Sequence, residues 1–148
     1  MKIPNNTLEL VMSFEGFYAT PYLCPANIPT IGYGSIRYPD GKRVSLKDPP
    51  ITQKTAILYM EEELQRNLVE TVRICPILLT APEKWLGAIV DFVYNLGAGN
   101  LQTSTLRRKI NAEEWGSVPY ELNRWVHGGG KRLRGLVLRR QAEGAYFA

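Results

Sequence analysis

The sequence is poor in metal ligands and in cross-linking chemistry. It has one histidine, His127, and two cysteines, Cys24 and Cys75. These three are scattered, whereas a zinc site needs closely spaced pairs of ligands, so no metal site is expected. Two cysteines 51 positions apart do not make a disulfide framework, and two free thiols are the expectation. No apolar run approaches the length that spans a bilayer. The opening MKIPNNTLEL lacks the basic-then-apolar order of a secretory signal, so the chain as written is expected in the cytoplasm until something releases it. Internal repeats and low-complexity stretches are also missing.

What is present is ordinary for a globular protein: 148 residues, 45% apolar and 22% charged. That length predicts one domain, or two small lobes sharing a core. The net charge is +4 and is uneven, with nine Lys and Arg against four Asp and Glu after residue 100. A basic C-terminal region suits an anionic partner, such as nucleic acid, a membrane surface or a cell wall, but also a plain solvated face.

Hydrophobic periodicity divides the chain. Asn6 with Glu9 has capping-box spacing at the start of a short helix, and Gly16 is a natural stop. Residues 17–47 are rich in β-favouring side chains broken by Pro and Gly, with a hairpin turn at Pro39-Asp40-Gly41-Lys42 and a return strand through Val44 and Leu46. Thr52 can cap a helix of roughly 30 Å that ends at Cys75-Pro76. Thr80-Ala81-Pro82-Glu83 reads as a second capping box, before a helix, WLGAIVDFVYNLG, apolar on nearly all sides. Shorter helices are predicted at about 104–111, 112–117 and 119–126. A flexible basic loop, HGGGKRLRG, then precedes a last helix. The fold class is α+β and mainly helical. A β-containing lobe with the first helix (about 1–50) is joined by a long helix (about 52–74) to a helical lobe (about 80–148), all within one domain.

Residues 14–34, FEGFYATPYLCPANIPTIGYG, concentrate the chemistry. Glu15 falls at a helix C-terminus, where the helix dipole does not favour a negative charge. Cys24 falls near the following turn and Thr30 on the return strand. On that strand Thr30, Gly32 and Gly34 would share one face, nearly bare of side chains, on which a flat ligand could lie. An acid, a thiol and a hydroxyl would then ring one small volume.

The order Glu15, eight residues, Cys24, five residues, Thr30, then Ile31-Gly32-Tyr33-Gly34, resembles the phage-type lysozymes, the endolysins of glycoside hydrolase family 24. Their second position holds Asp or Cys. FVYNLGAGNLQTSTLRRKIN, the Trp125–Gly130 turn and GLVLRRQAE are similar to further family blocks, so the resemblance runs from about residue 7 to 147. It implies a lysozyme-like fold and cleavage of the β-1,4 bond from N-acetylmuramic acid to N-acetylglucosamine in peptidoglycan. By this resemblance Glu15 is the general acid, with Cys24 and Thr30 the other catalytic positions. Gly32, Gly34, Ile36, Tyr94, Asn95 and Thr105 fall where the family lines its sugar groove. Ser35 stands where the family commonly has His, and Arg139, Arg140 and Glu143 match a block that suggests an ion-pair network. At Cys24 a thiol can act as a thiolate base, orient a water or attack as a nucleophile. An inverting member would hold a water between Glu15 and Cys24, with a wide gap between the two. No cofactor is implied. The implied partners are peptidoglycan, an anionic envelope for the basic C-terminal region, and a separate holin for release from the host cytoplasm. A monomer with no specific nucleic acid is expected.

Three rivals give other products. A lytic transglycosylase would cut the same bond without water and leave 1,6-anhydro ends. A wall peptidase would pair Cys24 with His127 and release amines. A nucleic-acid module would use Arg107, Arg108, Lys109, Lys131, Arg132 and Arg134, and its binding would fall steeply with salt.

Overall fold

The computed structural model describes all residues from Met1 to Ala148. Helix α1 (Asn5–Glu15) leads into strands β1 (Tyr18–Leu23) and β2 (Pro29–Gly32), an antiparallel pair with Tyr22 opposite Thr30. Helix α2 (Gln53–Ile74) follows, then α3 (Glu83–Leu96), α4 (Ala98–Gln102), α5 (Thr105–Asn111) and α6 (Val118–Leu122). A two-residue-per-strand hairpin, β3 (His127–Gly128) and β4 (Lys131–Arg132), precedes the last helix, α7 (Arg134–Ala145).

The long helix forms where its pattern predicts. The Thr52 hydroxyl accepts from the Thr55 N–H at its start, and the buried stripe runs Ala56, Met60, Leu64, Leu68, Thr71, Ile74. Helix α3 is buried without a break from Leu86 to Val93, which makes it the central element of the helical lobe. No helix is long and apolar enough to cross a membrane.

Several expectations give way to tertiary contacts. Asn6 is not a cap: the helix starts at Asn5, and the Asn6 amide is buried and donates to the Lys84 carbonyl at 2.8 Å. Its neighbour Thr7 donates to the Gly87 carbonyl at 2.9 Å, so α1 packs on α3 and α7 rather than with the sheet. Thr80 caps nothing either; its hydroxyl donates to Ile77, and α3 begins at Glu83 after Pro82. The return strand at 44–46 shrinks to a single bridge, Arg37 to Arg43, beyond the Tyr38–Lys42 turn. The helix expected at 112–117 is one 3-10 turn, Trp115–Ser117, and α4 was not expected. The basic loop is a hairpin, closed by Gly129 and Gly130 at positive φ.

The shared face of Thr30, Gly32 and Gly34 is also corrected. Strand β2 stops at Gly32, and Ile31 and Ser35 exchange both backbone hydrogen bonds at 2.9 Å around a three-residue turn. Gly32 and Gly34 have φ of +66° and +84°, which other residues adopt only with strain. The alternation of a strand is lost, and the two glycines face different neighbours. A Cβ on Gly32 would stand 3.1 Å from the Ala56 Cβ on α2, and one on Gly34 would stand 2.7 Å from Glu15 Oε1.

The α1–α3 contact is tight enough to test. A Cβ on Gly87 would fall 1.9 Å from Asn6 Oδ1. Gly87→Ala should therefore force Asn6 off Lys84 and cost about 1–3 kcal/mol in urea unfolding, with lysis retained by the fraction still folded.

Candidate active site

Glu15 is the last residue of α1, and Gly16, at φ +70°, turns the chain away behind it. Its side chain is 20% exposed, enough to meet a ligand. Oε2 accepts from Arg139 Nη1 at 2.7 Å. Arg139, on α7, is itself buried and makes two more bonds to Asp91 on α3, Nε to Oδ2 at 2.9 Å and Nη2 to Oδ1 at 2.7 Å. One guanidinium therefore ties together the end of α1, the middle of α3 and α7. Oε1 faces Gly34, where a side chain would leave it no room.

Asp91 and Glu143 are wholly buried. Arg140 pairs with Glu143 at 2.6 Å and also donates to Asn95 Oδ1 at 2.9 Å. The cluster holds three carboxyls, Glu15, Asp91 and Glu143, against two guanidiniums. One proton on a carboxyl brings it to neutrality. Burial, and then the Asp91 carboxyl beside it, push the Glu143 carboxyl well above its usual range. Burial pulls the same way on Asp91, but hydrogen bonds with Glu143 and Arg139 and the two guanidinium charges hold it below its usual range.

Cys24 and Thr30 are joined by one carbonyl. Ile28 O accepts from the Cys24 N–H at 3.1 Å and from the Thr30 hydroxyl at 2.8 Å. Asn27 at φ +60° returns its N–H to the Cys24 carbonyl, closing the loop between β1 and β2. Thr30 is buried and the Cys24 thiol is free and half-buried. Tyr22 pairs with Thr30 across the two strands and lies near both Glu15 and Cys24. Its phenol is pushed up to about 12 by burial, then by the charges of Glu15, Tyr18 and Cys24. No three of the His, Cys, Asp or Glu residues converge where a metal ion could be held.

The softer predictions scatter. Gly34 is against Glu15, whereas Gly32 is buried against α2. The Tyr94 hydroxyl donates to the Tyr33 carbonyl at 2.5 Å, so it braces the glycine turn. Asn95 is engaged by Arg140. Ile36 lines a cavity beside α2, and Thr105 opens α5, where its hydroxyl accepts from Arg108 at 3.3 Å. Arg107, counted among the nucleic-acid candidates, donates to the Ile74 and Gln102 carbonyls.

Asp91, Tyr22 and the contact of Arg139 with Glu15 were not foreseen. A signal for Asp91 was present: a lone acid inside WLGAIVDFVYNLG needs a buried cation.

With Glu15, Cys24 and Thr30 all inside it, the stretch 12–143 matches the family model described as phage lysozyme. The chain belongs to the phage lysozyme family. A SAR-endolysin of Bacteriophage PS119 is 38% identical over 135 residues, which are 87% of this chain and 73% of that one. The endolysin of Acyrthosiphon pisum secondary endosymbiont phage 1 is 30% identical over 151 aligned positions, covering 99% and 98% of the two chains. Among solved structures, the endolysin from Escherichia coli O157:H7 phage FAHEc1 superposes with a TM-score of 0.85 at 28% identity, over 99% of this chain and 93% of that one. As a phage lysozyme the protein is a glycoside hydrolase, a muramidase of phage-driven cell-wall lysis.

The buried cluster makes stability depend on pH. A carboxyl raised in the folded state adds stability that is complete below its unfolded value, about 4.3, and is lost as pH rises towards the folded value. Glu143→Gln removes that dependence. Between pH 5 and 9, urea midpoints of the parent should fall relative to those of the variant; parallel profiles would show that Glu143 is ionised in the fold.

Proposed function

We propose that Glu15 is the general acid that protonates the glycosidic oxygen between N-acetylmuramic acid and N-acetylglucosamine, while Cys24 and Thr30 hold the water that attacks the anomeric carbon. The observation that carries this reading is the split environment of the Glu15 carboxyl. Oε2 is held by Arg139, while Oε1 lies against Gly34 without a hydrogen-bond partner on a side chain that is 20% exposed. The proton to be donated belongs on Oε1, the oxygen a substrate can reach. Arg139 then receives no proton and keeps the carboxyl in one orientation as its charge changes, which is the positioning that general acid catalysis requires.

For the water, the Thr30 hydroxyl hydrogen is used by Ile28, so its oxygen lone pairs remain to accept. The Cys24 backbone N–H shares the same carbonyl, and its thiol is free and half-buried. Cys24 in this reading orients the water. Gly32 and Tyr94 support the site by shaping the turn that Gly34 ends, and Ile36, Asn95 and Thr105 are assigned to the walls of the glycan groove. Peptidoglycan is the substrate, cut by a monomer in two lobes joined by α2. A holin releases the enzyme from the host cytoplasm, and the exposed Lys131, Arg132 and Arg134 favour an anionic envelope.

Glu15→Gln should lower cleavage of purified peptidoglycan by about 10²–10⁴ with the fold intact by circular dichroism. The parent should produce reducing N-acetylmuramic ends. Anhydro ends would replace the hydrolytic step by transglycosylation, and new amines would point to Cys24 and His127. Cys24→Asp substitutes a carboxylate, ionised at neutral pH, for the thiol, so it should keep or raise the rate of lysis. A folded but inactive Cys24→Asp would make the thiol a specific nucleophile.

A further inference from the structure

Tyr22 shares one face of the sheet with Cys24 and Thr30. Cross-strand partners in an antiparallel pair project their side chains to the same side, and Tyr22 is the partner of Thr30. Residues two apart along an extended chain do likewise, which adds Cys24, whose N–H continues the ladder to the Ile28 carbonyl. Burial follows this division. Tyr22 and Cys24 are half-buried and Thr30 is buried, whereas Leu23 between them is exposed.

The Tyr22 ring is held from the side of α1. Its centroid lies 4.1 Å from that of the Tyr18 ring. Tyr18 in turn lies over Gly16, where an added Cβ would stand 3.8 Å from its ring. Gly16 directly follows Glu15, so the two rings connect the end of α1 to the strand that carries Cys24. Stacking fixes the ring and, with it, the place of its hydroxyl.

That hydroxyl is unengaged. The Tyr38 hydroxyl donates to Asp48, the Tyr94 hydroxyl donates to the Tyr33 carbonyl, and the Tyr33 hydroxyl accepts from Gln53. The Tyr22 hydroxyl has no such partner within the protein. It keeps its hydrogen at neutral pH, because burial and then the charge of Glu15 push it up to about 12.

A water poised for attack has two hydrogens and two lone pairs, and one lone pair must face the anomeric carbon. The Thr30 oxygen and the Cys24 sulfur can accept the two hydrogens. The other lone pair calls for a donor. Thr30 cannot supply it, because its hydrogen goes to the Ile28 carbonyl, and a thiol is a weak donor. The phenol on the same sheet face can.

We propose that Tyr22 is a catalytic residue whose hydroxyl donates to the attacking water and, with Cys24 and Thr30, fixes its direction of attack. The proposal rests on the reading of Cys24 and Thr30 as the groups that hold this water, and deepens it. The water oxygen bonds to the anomeric carbon as the glycosidic bond breaks. The electron pair of that bond passes to the leaving oxygen, which takes the Glu15 proton. The surplus proton on the new hydroxyl passes to solvent. Tyr22 neither gains nor loses a proton; its contribution is orientation.

Tyr22→Phe keeps the ring and its stacking and leaves no partner unpaired, so circular dichroism and urea midpoint should match the parent. On purified peptidoglycan its kcat should fall about ten-fold at unchanged KM, the loss of one hydrogen bond made in the transition state. Thr30→Val removes another contact to the same water. In that background Tyr22→Phe should cost less than about two-fold, because the water is no longer held. A full loss in both backgrounds would place Tyr22 away from the water and overturn the proposal. An unchanged kcat, or a raised KM alone, would also overturn it. In each of these cases reducing N-acetylmuramic ends still form and the muramidase stands. A parental kcat in Thr30→Val alone overturns the water-holding reading, and the role of Tyr22 with it.

Discussion

The contact of Arg139 with both Glu15 and Asp91 is the constraint on which the rest of the site depends. A helix end is a poor place to fix a side chain, because the backbone there has no further turn to pack against. Here the position is fixed from outside, by a guanidinium rooted on α7 and locked by a two-pronged bond to α3. Such a cation is tolerable at that depth only because each of its faces is occupied, by Asp91, Glu15 and the Phe14 ring 5.7 Å away. Removing one partner from a buried pair of this kind typically costs about 3–5 kcal/mol, since the remaining charge has no water to turn to. The Glu15 carboxyl is thus held by the same interaction that joins three helices.

The glycine turn serves the same end from the other side. Its two positive-φ residues bring β2 round within five residues, so Ile31 and Ser35 can pair. Gly32 lets the turn settle on Ala56 of α2, and Gly34 leaves the Glu15 carboxyl space. Backbone conformation, helix packing and access to the acid are set by one short segment. In the loop between β1 and β2, the Ile28 carbonyl does comparable work for Cys24 and Thr30, making the spacing between them a property of the loop rather than of two mobile side chains.

Helix α2 links these parts. Its buried stripe anchors it in the helical lobe, while Ala56 meets the glycine turn and its other face borders the charged cavity. A single helix therefore bears on both the turn and the neighbouring cavity.

What the sequence determined by itself was local or carried by spacing. The long helix from Thr52 to Cys75, the buried run around Asp91, the stop at Gly16 and the series Glu15, Cys24, Thr30 could be read from it. Periodicity, capping chemistry and fixed intervals along the chain are short-range properties. The tertiary structure alone decided which groups meet. Asn6 left its capping role for Lys84, 78 residues away, and Arg139 crossed 124 residues to reach Glu15. The glycines that looked like one bare strand face became a turn, with Gly32 settled against Ala56 of α2 and Gly34 against Glu15. A buried charge has to find its partner wherever the fold supplies one, and that requirement shows in the sequence only as a charged residue in an apolar place, with no indication of who answers it.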